Sequence, residues 1–430
     1  MKDKLLTGFL FAAVFLALAS TALATTTWYV NGVSGSNSNA CTSATTACKT
    51  VGHAISLAAS GDSIRVAAAT YKEHLTISIS LKILGSGGKT TILDGGGAGR
   101  VVTISSATAH VTLSGVTVRN GRARFFGGGI SNSGTLMVIA SVVSGNTSYN
   151  FCAANCSDSG GGISNFKGAT LTVTRSTISG NHAALPCTPA STSCSSVGGG
   201  IYNLGSLKVN NSTISGNGAL FSGGIANRGT LSVNNSTIAG NNGIVGGIGI
   251  YSGTATLQNS IVANFVGGNC GNTIVSNGYN LSSDATCNFT STGDLNNTDP
   301  MLGPLQYNGG PTQTMALPLG SPAVDAGNPT GCTDGLGHLL KTDQRGKPRP
   351  DAEETAGCDM GAYEYQAQQG HCVWVCGSTR CGMLTGYCAG PVNNACRSTY
   401  DPAQCPIGQP TGGSGSSCGE AIDTTRTCTP

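Results

Sequence analysis

GGGIYNLGSLKVNNSTISGN, Gly198–Asn217, carries the pattern that decides the fold. The stretch GGGISNFKGATLTVTRSTISGN, Gly160–Asn181, repeats it almost residue for residue. The isoleucine closing each glycine run recurs at Ile130, Ile163, Ile201, Ile225 and Ile250, in steps of 33, 38, 24 and 25 residues. The last two steps give the basic period. The longer ones arise because extra residues fall between the SGN motif and the next glycine run. Within a repeat, short runs alternate, with Leu207 and Val209 followed by Ser212 and Ile214. Alternation over four or five residues specifies strands with one buried face, and Ser, Thr, Gly and Asn are poor material for a helix interior.

Several short strands in a 24-residue period predict a right-handed parallel β-helix, an all-β solenoid whose coils stack about 4.8 Å apart. Matching Ile, Leu and Val positions then form internal stacks, and the recurring asparagines form ladders at the bends. A leucine-rich repeat needs a denser leucine consensus, and a propeller needs a longer period. The open ends of such a stack require caps. KTVGHAISLAASGDSIRV places Val51, Ala54, Ile55 and Ala58 on one side of a short helix ending at Gly61, an N-terminal helical cap.

Glycine makes up 65 of 430 residues and charged residues only 10%, while 39% are apolar. That apolar content excludes a solvated disordered chain. Net charge is +3, unevenly spread. Between Val101 and Asn264 the only acidic residue is Asp158, against seven Lys and Arg, and eleven carboxylates lie between Asp284 and Glu364. The first 24 residues, with Lys2 and Lys4 ahead of the apolar run Leu5–Leu18, read as a secretory signal peptide cut after Ala24. A secreted or surface-exposed protein without a transmembrane segment in the mature chain is expected.

Eighteen cysteines fit that compartment. Their spacing pairs Cys41 with Cys48, Cys152 with Cys156, Cys187 with Cys194, Cys270 with Cys287 and Cys332 with Cys358. Eight more in residues 366–430 make a linker and a small disulfide-rich C-terminal module, of undetermined connectivity.

WYVNGVSGS, TYKEHLTI and LKILGSG resemble the first coils of secreted pectate-lyase-like β-helix proteins, with Tyr71 and Glu73 matching a recurring TYxE turn. The glycine-rich repeats resemble those of polymorphic outer-membrane proteins. NNTDPMLGPLQYNGGPTQTMALPLGSPAVDAGN, DQRGKPRP and CDMGAYEY resemble the choice-of-anchor Q domain of exported bacterial β-helix proteins. The resemblances imply first coils over 25–100, repeat coils over 101–265, and final coils with the anchor-like module over 266–365. They also imply a surface or extracellular role.

The insertions RARFFGGGI, TSYNFCAANCSDSGGGI, HAALPCTPASTSCSSVGGGI and GALFSGGI fall at one point of the repeat. Equivalent positions stack in a solenoid, so Arg122, Arg124, Phe125, Phe126, Tyr149, Phe151, His182 and Phe221 should gather along one edge. Guanidinium groups beside aromatic faces suit a glycan or another surface polymer. The expected partner is a polysaccharide or cell-surface polymer bound without catalysis, by a monomer with no nucleic-acid role. The rival is a polysaccharide lyase or glycoside hydrolase acting on acidic polysaccharide, and the third reading is a structural spacer. Catalysis of either kind needs grouped carboxylates, which the coils lack. No cofactor is expected. Asp325, Asp343, Asp359 and Glu364 either hold calcium or, as the favoured reading, pair with Arg345 and Arg349 to brace the C-terminal end. The Asn-x-Ser/Thr triplets at Asn146, Asn211, Asn235 and Asn280 read as ladder and turn residues.

Overall fold

The structure is a computed structural model that describes residues 25–150, 156–184, 194–263, 266–335, 337–351, 357–366, 372–376, 379–383 and 420–423. Residues 1–24, read above as a signal peptide, lie outside the described residues, as do Phe151, Cys152, Cys187 and most of the cysteine-rich tail. Cys372–Cys376, Thr379–Met383 and Glu420–Asp423 of that tail pair as a small antiparallel sheet.

The body is a right-handed parallel β-helix. Each coil contributes one strand to each of three long parallel sheets of ten, nine and eight strands. In the coil that contains the opening stretch these are Ile201–Asn203, Ser206–Asn210 and Thr213–Ser215. The next coil stacks in register, Ile201 on Ile225, Leu207 on Leu231 and Ile214 on Ile238. All six side chains are buried, because inward positions of successive coils form continuous aliphatic columns.

The bends are ladders. Asn132, Asn165, Asn203 and Asn227 bond side chain to side chain at 2.7–2.8 Å, and Asn146, Asn181, Asn217 and Asn241 do so at 2.9 Å. A serine column does similar work at the bend between the second and third strands, where each backbone N–H of Ser141, Ser176, Ser212 and Ser236 donates to the next serine hydroxyl. Asn211 and Asn235, read as turn residues, precede two of these serines with φ near +50°, a conformation asparagine tolerates.

One register differs from the sequence reading. Ile248, not Ile250, stacks on Ile225, and Ile250 takes the place next to Asn227. The first asparagine ladder therefore stops at Asn227, whose amide donates to Gly229 and Thr254 carbonyls instead.

The cap helix spans Val51–Leu57 and stops short of Gly61. Ala58 is extended, and the Asp62 carboxylate collects the N–H groups of Ala59, Thr26 and the Trp28 indole, drawing the chain into the next strand. The TYxE turn has a physical role here. Glu73 accepts from the first two helical N–H groups, Val51 and Gly52, at 2.8 and 2.7 Å, and Tyr71 links Gly32 to Ala67. Disulfides Cys41–Cys48, Cys270–Cys287 and Cys332–Cys358 are formed.

The described residues between 300 and 366 do not extend the coil stack. They fold back along its flank as a strap over the outward face of the nine-stranded sheet. Lys89 sits over the Tyr307 ring at 3.9 Å, Thr177 donates to the Gln313 carbonyl, Thr213 donates to Gln344, the Ala362 N–H donates to Thr237, and Asn259 donates to the Asp359 carbonyl. Met315, Leu317, Ala323 and Met360 pack on Ala239, Ile261, Ala263 and Leu281. The strands Thr177–Ser179, Thr213–Ser215 and Thr237–Ala239 are therefore buried on both faces, the usual state of a parallel sheet.

Candidate functional site

The insertions stack, as their common position in the repeat requires. Arg122–Arg124, Thr147–Tyr149 and His182–Ala184 pair in parallel, and isolated bridges continue this column through Gly218 to Asn242. Arg122, Thr147, His182, Gly218 and Asn242 thus occupy successive rungs. A return limb brings Cys156–Ser159 beside Cys194–Val197, completing a fin on the side of the rod.

On the outer limb Arg122 lies over the Tyr149 ring at 4.7 Å and Arg124 over the Phe125 ring at 4.9 Å. Phe125 is 39% exposed and has φ of +70°, a strained conformation for a bulky residue. The strain marks a position where the chain reverses. Arg122, Arg124 and His182 are exposed and Tyr149 is half-buried.

Phe126 and Phe221 are placed differently from the sequence reading. Both turn inward and pack with Tyr202, Val197 and Ala226. Phe126 stacks on Tyr202 at 6.4 Å and meets Phe166 edge-on at 5.6 Å. For Phe126 the cause is the left-handed residue at Phe125, which reverses the side of the limb that the next side chain faces. The eight proposed site residues therefore divide into four exposed residues with half-buried Tyr149 and an inward pair, and Phe151 lies outside the described residues.

Below His182 the side chains shrink. A cavity of about 520 Å³ opens over a floor that includes Gly216, Gly218 and Gly240, with Leu220 and Asn242 at its margin. The imidazole reaches over Gly218, where a Cβ would stand 2.8 Å from Nδ1. Gly218→Ala is therefore expected to swing the ring away while changing stability by less than about 1 kcal/mol, since the atom displaced is the end of a side chain. The His182 ring resonances and the urea midpoint together check this.

Sequence reasoning missed three contributors. Half-buried Arg100 donates to the carbonyls of Phe126 and Gly127 at 2.6 and 2.8 Å and so holds the reversal at Phe125. Tyr202 is an outward residue in a column otherwise made of Ser131, Ser164, Ala226 and Gly249, a mismatch visible in the repeats. The glycine floor resembles ordinary turn composition and gave no separate signal.

Asp343, Asp359 and Glu364 of the strap are sealed. Asp343 pairs with Arg345 at 2.7 Å and Glu364 with Arg349 at 2.6 Å, and all four side chains are 0–4% exposed. Asp359 accepts the N–H groups of Asp325 and Tyr365. Apart from Glu364 Oε1 these oxygens accept from guanidinium and amide donors, an ion-pair brace. The brace lies on the flank and not at the end of the rod. Among the described residues the one group with metal-ligand spacing is Cys41, Cys48 and His53, whose cysteines are disulfide-bonded to each other. Among the described residues no helix is long and apolar enough to cross a membrane.

No protein-family model matches the chain, and no curated protein matches it. Five solved chains do. One, described as "Crystal structure of pectate lyase Pel9A", is 14% identical, with 80% of this chain and 98% of that chain covered and a TM-score of 0.36. The fold assignment rests on the stacked parallel sheets themselves.

Proposed function

We propose that this is a secreted or surface-displayed β-helix protein that binds a glycan or other surface polymer without transforming it, through the outer limb of the fin. The observation that carries this reading is the aligned column from Arg122 through His182 to Asn242, which puts a cationic, aromatic shelf beside an open glycine-floored trough. A rigid scaffold that presents stacked loops in this way is where binding usually resides. Guanidinium and aromatic faces supply polar and stacking contacts to a saccharide-like chain.

Catalysis on an acidic polysaccharide is less well supported by the residues present. The strap carboxylates Asp343, Asp359 and Glu364 are 0% exposed and out of a polymer's reach. The repeat coils contain Asp158 alone.

The test is incubation of the oxidised mature protein with a panel of acidic and neutral polysaccharides, reading retention and new reducing or unsaturated ends together. Retention without cleavage is expected, and the Arg122→Ala/Phe125→Ala variant should retain at least tenfold less while unfolding at the same urea concentration. Cleavage by the wild type would replace this reading with the lyase or hydrolase one, and absence of both signals would favour a spacer.

A further inference from the structure

The strap is fastened by a knot whose charges do not balance. Three fully buried carboxylates, Asp343, Asp359 and Glu364, face two buried guanidiniums, Arg345 and Arg349. Asp343 is well satisfied, accepting from the Arg345 side chain and from the N–H groups of Arg345, Lys347 and Glu364. Arg349 spends its remaining donors on Asn211 at 3.0 Å and the Gly361 carbonyl at 2.9 Å, while Arg345 lies over the Tyr363 ring at 3.6 Å. Asp359 and Glu364 are joined directly, because the Asp359 N–H donates to Glu364 Oε2 at 3.1 Å.

Glu364 Oε1 is buried and has no hydrogen-bond partner. A carboxylate oxygen in that position is costly when charged and tolerable when the group is neutral. Among the described residues the surroundings offer no further buried positive charge. Coil residues meeting the knot are Asn211, Thr213, Thr237 and Asn259, all neutral. On the strap, Lys341 and Lys347 are exposed, and Asp325 and buried Asp351 add negative charge.

We propose that this knot is a proton-operated latch, in which the strap closes on the coil flank only while Asp359 and Glu364 together hold one proton. With that proton present, the buried charges of the knot cancel. Without it, one buried negative charge lacks a partner, and the strap loosens to bring it to water. Burial above all raises both groups, Asp359 to about 7 with added repulsion from Asp325, and Glu364 to about 8 with added repulsion from Asp359.

The sign follows from linkage. Both groups bind protons more tightly in the closed state than at their ordinary values of 3.8 and 4.5. The stabilisation is therefore complete at about pH 4, declines as pH rises, and is exhausted once pH has passed about 8.

Hydrogen exchange of the Asp359, Ala362 and Glu364 amides, corrected for intrinsic rate, reads the opening directly. In the oxidised wild type the opening constant should rise at least about tenfold per pH unit between pH 5 and 7 and level off above 8, the slope of one proton or, where both groups release one, two. Core coil amides such as Val209 should not follow it. Glu364→Gln keeps an acceptor for Arg349 without needing the proton, so its profile should be shallower than the wild type's by about one proton across the same range. Asp359→Asn serves as the second variant, with the same expectation. A flat wild-type profile, or variants retaining the wild-type slope, would overturn the latch.

Discussion

Asn181→Leu is expected to destabilise the rod by roughly 3–6 kcal/mol, although the two side chains are nearly equal in size. Asn181 is fully buried in the second ladder. Its amide donates to the Val143 carbonyl and to Asn217 Oδ1, each at 2.9 Å, and its own Oδ1 accepts the backbone and side-chain N–H groups of Asn146 at 3.1 and 2.9 Å. Leucine leaves the Asn146 N–H, the Val143 carbonyl and Asn217 Oδ1 without these partners in a dry interior. Each stranded group costs about 1–3 kcal/mol. Equilibrium urea unfolding followed by far-ultraviolet circular dichroism measures the loss, and Ser232→Ala on an outward face should cost under about 0.5 kcal/mol. A loss at Asn181 no larger than that would mean that the ladder sets the bend's geometry and contributes no stability.

The ladders were legible because each rung recurs with the coil period. The same holds for the isoleucine, leucine and valine columns, where periodicity reports burial directly. It failed at Ile250, since Val245–Ile250 presents two isoleucines, each preceded by glycine, and a two-residue slip leaves both in plausible places. The fin was legible as a location, because insertions at a common point of a solenoid must stack. Its two faces were not. A single left-handed residue at Phe125 inverts the alternation, and nothing in RARFF announces that a phenylalanine adopts it. The strap was the least visible feature. Its contacts join residues more than a hundred positions apart, such as Thr213 with Gln344, and no period connects them. One hint was present, in that the threonines at Thr177, Thr213 and Thr237 recur at outward positions, and the strap bonds to each of them.

Arg349→Met is expected to cost about 3–5 kcal/mol at pH 8, the usual penalty for removing one partner of a buried ion pair. It strands Asn211 Oδ1 and the Gly361 carbonyl and leaves Glu364 Oε2 with the Asp359 N–H alone, all deep between strap and coils. An exposed pair gives the contrast. His338 and Asp334 approach to 2.9 Å, but the His338 side chain is 76% exposed, so Asp334→Asn should cost under about 1 kcal/mol. Adding Glu364→Leu to Arg349→Met should recover much of the loss, because a buried pair replaced by apolar groups is often neutral. The pH dependence separates charge from packing. At pH 5 Glu364 takes up its proton and the missing guanidinium matters less, so the penalty should shrink relative to pH 8. A penalty equal at both pH values would assign the loss to the stranded Asn211 and Gly361 groups, and would mean that Glu364 is neutral throughout the range.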